Sequence, residues 1–432
     1  MTAERWLRII PVALIMYTIS YIDRTNVALA LDPDISNMMR DLLMDDKLKG
    51  EAFGIFFFGY ILLQVPGGHL ASHWSAKKLI AIFLVMWGAA AVGCGLVKTF
   101  RQFELVRFLL GVAESGVFPA TLVLLANWFP RAERARANAY WNLCQPLAVA
   151  GSAPITDWLL RHYDWKTTLV LEGALPFIWL PIWLYFISDH PREARWISKE
   201  ERDHLETTLQ REASELEPAQ RLPIWQALLR PTVLLMLVIY FLQNCAAYGC
   251  MSFLTSGLKG KGGQAAGVPY GVLFAIPYVV AAVLMILNSW HSDKTQERRG
   301  HVTLAYWVSG LSLIASVWVS GYSFWFSFGF LCLAIPGPFA GLAPFWAIPA
   351  ETMPRNVMGS VMGLVNAIGN LGGFLGPFLV GWLKQTSGGS IVVPFTVLGL
   401  GLLVAGALAL LLPKSRPVGA PGGTSAGLPA RP

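Results

Sequence analysis

The residues of this chain that can do chemistry stand where an apolar sequence normally excludes them. Asp23 and Arg24 lie side by side in the apolar stretch YTISYIDRTNVALA, and Arg107 and Glu114 share the stretch RFLLGVAESGVF. Each such charge costs about 2.5–3.5 kcal/mol at the centre of a bilayer, so keeping four of them calls for a use. On a helix Tyr17, Tyr21 and Arg24 fall at i, i+4 and i+7 on one stripe, with Ser20 and Asp23 on a neighbouring stripe. A guanidinium keeps its proton and matches a carboxylate with two parallel hydrogen bonds, which makes Arg24 a clamp for an organic anion. The alternative use of Arg24 is an ion pair that holds helices together, though apolar packing can replace such a pair. Asp23 and Glu114 are the candidates for proton binding. At about 4 Å and an effective dielectric near 20, one charge interaction is worth about 4 kcal/mol. An anion that neutralises Arg24 therefore favours protonation of the carboxylates beside it. A permanent ion pair with Arg107, seven residues earlier on the same face, is the other reading of Glu114.

Polar side chains elsewhere also form helical stripes: Tyr60 with Gln64, Asn138 with Asn142 and Gln145, Gln243 and Asn244 with Tyr248, and Asn366 with Asn370. Facing a common cavity, these hydroxyls and amides suit a polyhydroxylated substrate; as links between helices they are worth about 1 kcal/mol each. Trp141, Phe345 and Trp346 suit an aromatic acid instead. The stretch TVLLMLVIYFLQNCAAYGCMSFL carries no base, so the second half offers no counterpart to Arg24 and a small monocarboxylate is favoured. The five cysteines all fall within apolar runs without a CxxC spacing, and the seven histidines show no HExxH pattern, so neither a metal site nor a cofactor is expected. GVAESG is not a GxSxG elbow, and no nucleophile and base stand together, which argues against an enzyme.

The elements that must position these residues are membrane helices. Of 432 residues 55% are hydrophobic and 14% charged, against about 45–50% and about 25% in ordinary soluble domains. Twelve apolar runs, near 7–31, 51–73, 77–98, 103–128, 134–160, 167–188, 231–257, 268–290, 302–321, 323–350, 356–383 and 391–412, are each long enough to span a bilayer as a helix. Lipid leaves backbone groups no outside partner, so runs of this length predict an all-α integral membrane protein. With both termini in the cytoplasm, 21 of the 33 Lys and Arg residues fall on the cytoplasmic side and 10 outside, as the positive-inside rule asks. The net charge of +7 then reflects topology, and no nucleic-acid partner is implied.

The chain divides into six runs (1–188), a hydrophilic cytoplasmic linker (189–230), six more runs (231–412) and a low-complexity tail (413–432) expected to be disordered in the cytoplasm. In the linker Ser198 and Glu201 have capping-box spacing. Pro154 and Trp158 in the fifth run echo Pro377 and Trp382 in the eleventh, and GGHLASHWSAKK after the second run echoes LNSWHSDKTQERR after the eighth. These echoes suggest two parallel six-helix repeats with a binding site between them at mid-membrane. The glycine-rich NAIGNLGGFLGP also raises the expectation that the eleventh helix bends during alternating access.

Together SYIDRTNVA, GYILLQVPGGHLA, RFLLGVAESGVFPA, NWFPRAERARA, PREARWISKEE and NAIGNLGGFLGP resemble the anion:cation symporter family of the major facilitator superfamily. The resemblance implies a monomer in the bacterial inner membrane that imports organic anions, sugar acids such as galactonate among them, together with protons. It also implies that Tyr21, Arg24, Tyr60, Gln145, Trp346 and Asn366 bind substrate. Ala343 departs from the pattern where a hydroxyl is expected. So does Ser72, where superfamily members carry an acid in the turn after the second helix; Asp293, with Arg298, keeps that gate in the second copy. A proton-driven exporter and a nutrient sensor on a transporter scaffold are the alternatives.

Overall fold

The computed structural model describes residues 4–214, 226, 229–258, 267–352 and 355–413. Part of the linker and nearly all of the tail lie outside them. Among the described residues the elements are helical, in the order α1 (Glu4–Ala30), α2 (Asp46–Tyr60), α3 (Gln64–His73), α4 (Ala76–Leu96), α5 (Phe100–Ser115), α6 (Val117–Trp128), α7 (Arg131–Asn142), α8 (Cys144–His162), α9 (Trp165–Gly173), α10 (Leu175–Phe186), α11 (Lys199–Ser214), α12 (Pro231–Leu258), α13 (Tyr270–Thr295), α14 (Arg299–Val319), α15 (Phe324–Ala334), α16 (Leu342–Thr352), α17 (Arg355–Thr386) and α18 (Val392–Ala409). Short turns of helix intervene at Met38–Asp41 and Pro336–Ala340.

Ten stretches are long and apolar enough to cross a membrane among the described residues. The second and fifth apolar runs complete the twelve as broken pairs, α2 with α3 and α7 with α8. Both begin earlier than the apolar signal, at Asp46 and Arg131, because a charged first turn carries the helix beyond the greasy stretch. Asp45 caps α2 by accepting from Leu48 N at 2.7 Å. Of the expected capping box the serine's half forms, Glu201 N donating to Ser198 Oγ at 3.3 Å.

Both described ends lie on one face of the bundle, here the terminal face. There Arg299 Nη1 donates to the carbonyls of Leu410 (2.7 Å) and Leu412 (2.8 Å), which meets acceptors that the end of the last helix leaves free. The two halves meet tightly at the opposite face. Gly50 of α2 lies so close to α17 that a Cβ there would sit 2.3 Å from the Pro377 carbonyl oxygen. Gly271 of α13 meets α8 in the same way, 2.5 Å from the Ala153 carbonyl oxygen and 2.9 Å from Pro154 Cα. The two prolines that echo in sequence thus each receive a glycine of the other half. Lys384 Nζ to Asp46 Oδ1 (2.7 Å) and Gln385 Nε2 to Asp45 Oδ2 (3.0 Å) complete the seal. In this conformation α17 runs unbroken from Arg355 to Thr386, and Gly376 lies against the Cys245 carbonyl of α12.

Candidate functional site

Between the halves lies a cavity with an empty volume of about 650 Å³ including its mouth. Arg24 is the one charged side chain on its wall among the described residues. The stripe expected on the first helix forms: Tyr17, Tyr21 and Arg24 all face the cavity, joined from the first half by Tyr60 and Gln145. Tyr21 Oη donates to Gln145 Oε1 at 3.0 Å and lies 3.1 Å from Tyr248 Oη of the second half. Asn366 Nδ2 donates to Gln64 Oε1 at 2.8 Å, again across the halves. Five of the six residues that the family resemblance marks for binding therefore share one wall. The sixth, Trp346, stands behind it, edge-on to Tyr240 with ring centres 5.1 Å apart.

Arg24 is 2% exposed and its guanidinium is almost enclosed. Its Nη1 donates to Ser20 O at 2.9 Å and lies 3.2 Å from Ser20 Oγ, while Nη2 lies 3.2 Å from Glu114 Oε2. The rings of Tyr21, Phe56 and Tyr60 surround its carbon at 4.6, 4.7 and 5.4 Å, a cation–π setting that holds the charge without adding a counterion. Its Nε is buried with no hydrogen-bond partner. Glu114 also accepts from Ser20 Oγ at 2.5 Å, so one serine orients both members of the pair.

Glu114 thus pairs with Arg24 and not with Arg107, although Arg107 shares its helix. Arg107 instead donates from Nη1 to the Asp23 carbonyl oxygen at 3.2 Å and lies over Phe56. Asp23 points away from the cavity into the first half, where Trp87 Nε1 donates to its Oδ2 at 2.9 Å. Adjacent positions on α1 therefore serve two compartments, one at the cavity and one within the first bundle.

To the tyrosines that the sequence singled out, the aromatic wall adds two that it did not. Tyr240 and Tyr278 line the cavity, whereas Trp141, Phe345 and Trp346 lie behind the lining and support it: Trp141 packs on Tyr17 at 4.9 Å and Phe345 stacks on Tyr240 at 5.5 Å. Nothing in the spacing marks a lone tyrosine as lining and not core; only the packing of α12 and α13 decides. From the second half Gln243, Asn244, Asn366 and Asn370 also line the wall, and Gln243 Oε1 and Asn244 Nδ2 have no hydrogen-bond partner. Unmet buried amide groups of this kind are ready for a ligand's hydroxyl or carbonyl.

The residues expected at the gate lie apart from the cavity, on the terminal face. Arg298 Nη1 meets Asp293 Oδ1 at 2.5 Å and Ser292 Oγ at 3.1 Å. In the first copy Ser72 Oγ donates to His69 O at 2.9 Å, a bond within its own turn. No group of three or more His, Cys, Asp and Glu side chains that could hold a metal occurs among the described residues.

Comparison with known proteins agrees with this architecture. The family model of the Major Facilitator Superfamily matches residues 13–377. The chain is 30% identical over 420 residues to a putative tartrate transporter of Agrobacterium vitis, covering 95% of this chain and 90% of that one. It is 26% identical to a probable galactarate/D-glucarate transporter of Bacillus subtilis, over 90% and 87% of the two chains. Among solved structures, a bacterial homologue of the human lysosomal transporter Spinster, inward-facing and occupied, superposes with a TM-score of 0.72 at 15% identity, covering 95% and 97% of the chains. At that identity the likeness speaks for the fold alone. A helical membrane bundle with a central cavity, matched by the family model over most of its length, places this chain in the Major Facilitator Superfamily, as a multi-pass transporter and not an enzyme.

Proposed function

We propose that this transporter is a proton-coupled symporter that brings a small organic monocarboxylate, a sugar acid first, into the cell by alternating access. The observation that carries the reading is Arg24, the one charged side chain on the cavity wall among the described residues, paired behind that wall with the buried carboxylate of Glu114. A substrate carboxylate that engages Arg24 must take the place of Glu114, and an ionised Glu114 left without its cation in so dry a site is strongly disfavoured. Glu114 therefore takes up a proton as the anion arrives, and releases it when the anion leaves and Arg24 returns. Arg24 is the clamp, Tyr21, Tyr60, Gln145 and Asn366 bind the rest of the substrate, and Trp346 acts by holding Tyr240. Asp23 tunes the proton affinity from behind, and Asp293 with Arg298 serves the gate.

The bundles 1–188 and 231–412 move against each other about the cavity, joined by the linker 189–230. With both termini in the cytoplasm of a bacterial cell, the closed opposite face is the outer one and the cavity addresses the cytoplasm. A monomer contains the whole site.

Two relatives are named for tartrate and for galactarate/D-glucarate, which are diacids. A single guanidinium holds one carboxylate; a second carboxyl would have to bind as a neutral acid at the amides of the second half. The tyrosine-lined wall favours a second reading, an aromatic acid stacked among Tyr17, Tyr21, Tyr60, Tyr240, Tyr248 and Tyr278. Thermal-shift titration of purified protein with matched mono-, di- and aromatic acids separates these readings. The sugar monoacid is expected to stabilise most, and uptake into proteoliposomes should cease in Arg24→Ala. Uptake by that variant at near-normal affinity overturns the clamp.

A further inference from the structure

The first half buries a carboxyl that the transport cycle above leaves unused. Glu172 of α9 is 6% exposed; its Oε1 accepts from Thr156 Oγ1 at 2.6 Å, and its Oε2 is buried with no hydrogen-bond partner. The elements packed on α9 bring it no cation among the described residues. From α1 come Asp23 and the amide of Asn26, which faces both carboxyls. From α8 come Thr156 and Asp157, the latter bound to Arg161 at 3.1 Å. From α4 come the Cys94 thiol, whose charged neighbours are Arg107, Asp23 and Glu114, and Trp87, which binds Asp23. The α10 segment is apolar around its one exposed tyrosine, Tyr185.

Charge balance sharpens the point. This buried core holds two guanidiniums, those of Arg24 and Arg107, and three carboxyls, those of Asp23, Glu114 and Glu172, one carboxyl too many. Arg24 takes Glu114, while Arg107 donates to the backbone carbonyl of Asp23, whose carboxylate is held by Trp87. An ionised Glu172 would be a buried, uncompensated charge beside another carboxylate, the arrangement that favours one proton shared by two acids.

We propose that Asp23, Asn26 and Glu172 form a second proton-binding site, holding one proton that rests on Glu172 and is distinct from the Arg24–Glu114 pair. It rests on the symport reading only for its part in transport, which is to keep the core neutral so that the charge at Arg24 answers to the substrate.

The test is infrared difference spectroscopy of the full chain in nanodiscs, titrated with acid and base, which reads protonated carboxyls without transport. A carboxylic-acid C=O band at neutral pH should be present in the wild type and in Glu114→Gln and absent in Glu172→Gln. In Asp23→Asn the band should ionise at a pH at least about one unit lower, because the neighbouring negative charge is gone. If Glu172→Gln does not fold, Thr156→Val should shift the band by removing the hydrogen bond to Oε1. A wild-type spectrum identical to that of folded Glu172→Gln, an unmoved midpoint in Asp23→Asn, or an unshifted band in Thr156→Val overturns the proposal. So does loss of the wild-type band when sodium replaces choline at constant ionic strength, which would make this a metal-cation site. Absence of pH-driven uptake in the wild type with the band intact would instead fault the symport reading alone.

Discussion

In the proposed cycle the Arg24–Glu114 contact makes one carboxylate a placeholder for another. A charge-assisted hydrogen bond is worth about 1.5–3 kcal/mol, and each 1.4 kcal/mol is about tenfold in affinity. Arg24→Ala should therefore weaken anion binding by roughly ten- to a hundredfold or more, read as loss of the ligand-induced thermal shift. Glu114→Gln keeps the shape and hydrogen bonding of a protonated Glu114 but can neither ionise nor reload. In proteoliposomes it should retain anion exchange while losing accumulation driven by a pH gradient. Intact accumulation in that variant would move coupling to Asp23, behind the cavity wall. Ser20 touches both partners at 3.2 and 2.5 Å, so Ser20→Ala should change substrate affinity and the pH profile together.

Among the elements, close helix approach serves two different ends. Gly376 packs α17 on α12 within the second half, where an added Cβ would lie 2.2 Å from the Cys245 carbonyl oxygen. Overpacking of that kind costs about 1–3 kcal/mol, so Gly376→Leu should lower the unfolding temperature. Gly50 packs α2 on α17 across the halves, and there the clash can be relieved by opening the opposite face. Gly50→Leu should leave the unfolding temperature close to wild type while exposing the seal: a cysteine at Gln385 should react faster with a membrane-impermeant thiol reagent in the Gly50→Leu background. Equal labelling with and without Gly50→Leu would show that the halves do not part there.

At the scale of the molecule, the start of the linker is strapped to the first bundle. Arg5 meets Glu133 at 2.8 Å and Glu201 at 3.7 Å and donates to the Trp128 carbonyl at 3.0 Å. Trp128 stacks on Trp196 with ring centres 5.3 Å apart, Arg8 covers the Trp196 ring, and Ser75 binds Asp189. Removing one member of such a buried pair costs about 3–5 kcal/mol. Arg5→Met should therefore markedly lower the unfolding temperature, and substrate affinity in the protein that remains folded should be unchanged, because this cluster lies apart from the cavity wall. Affinity falling in step with stability would show that the strap shapes the site.

The class of this protein and the address of its charge follow from composition and periodicity alone. Burying backbone in lipid leaves a helix as the answer to each long apolar run, and a helical repeat puts Tyr17, Tyr21 and Arg24 on one stripe whatever packs against them. What lies opposite that stripe is a matter of tertiary structure. Glu114 is 90 residues from Arg24 in the chain, and its helix presents Arg107 at the same spacing that would suit a partner; only the rotation of α5 against α1 gives Glu114 to Arg24 and Arg107 to the Asp23 carbonyl. Trp346 reads as lining and Tyr240 as core on the stripe alone, because a helix has a buried face on either side of it; in the packed bundle Tyr240 lines the cavity and Trp346 stands edge-on behind it. Local periodicity fixes which residues share a face. Which face meets which depends on contacts summed over the whole bundle, and a single sequence does not spell those out.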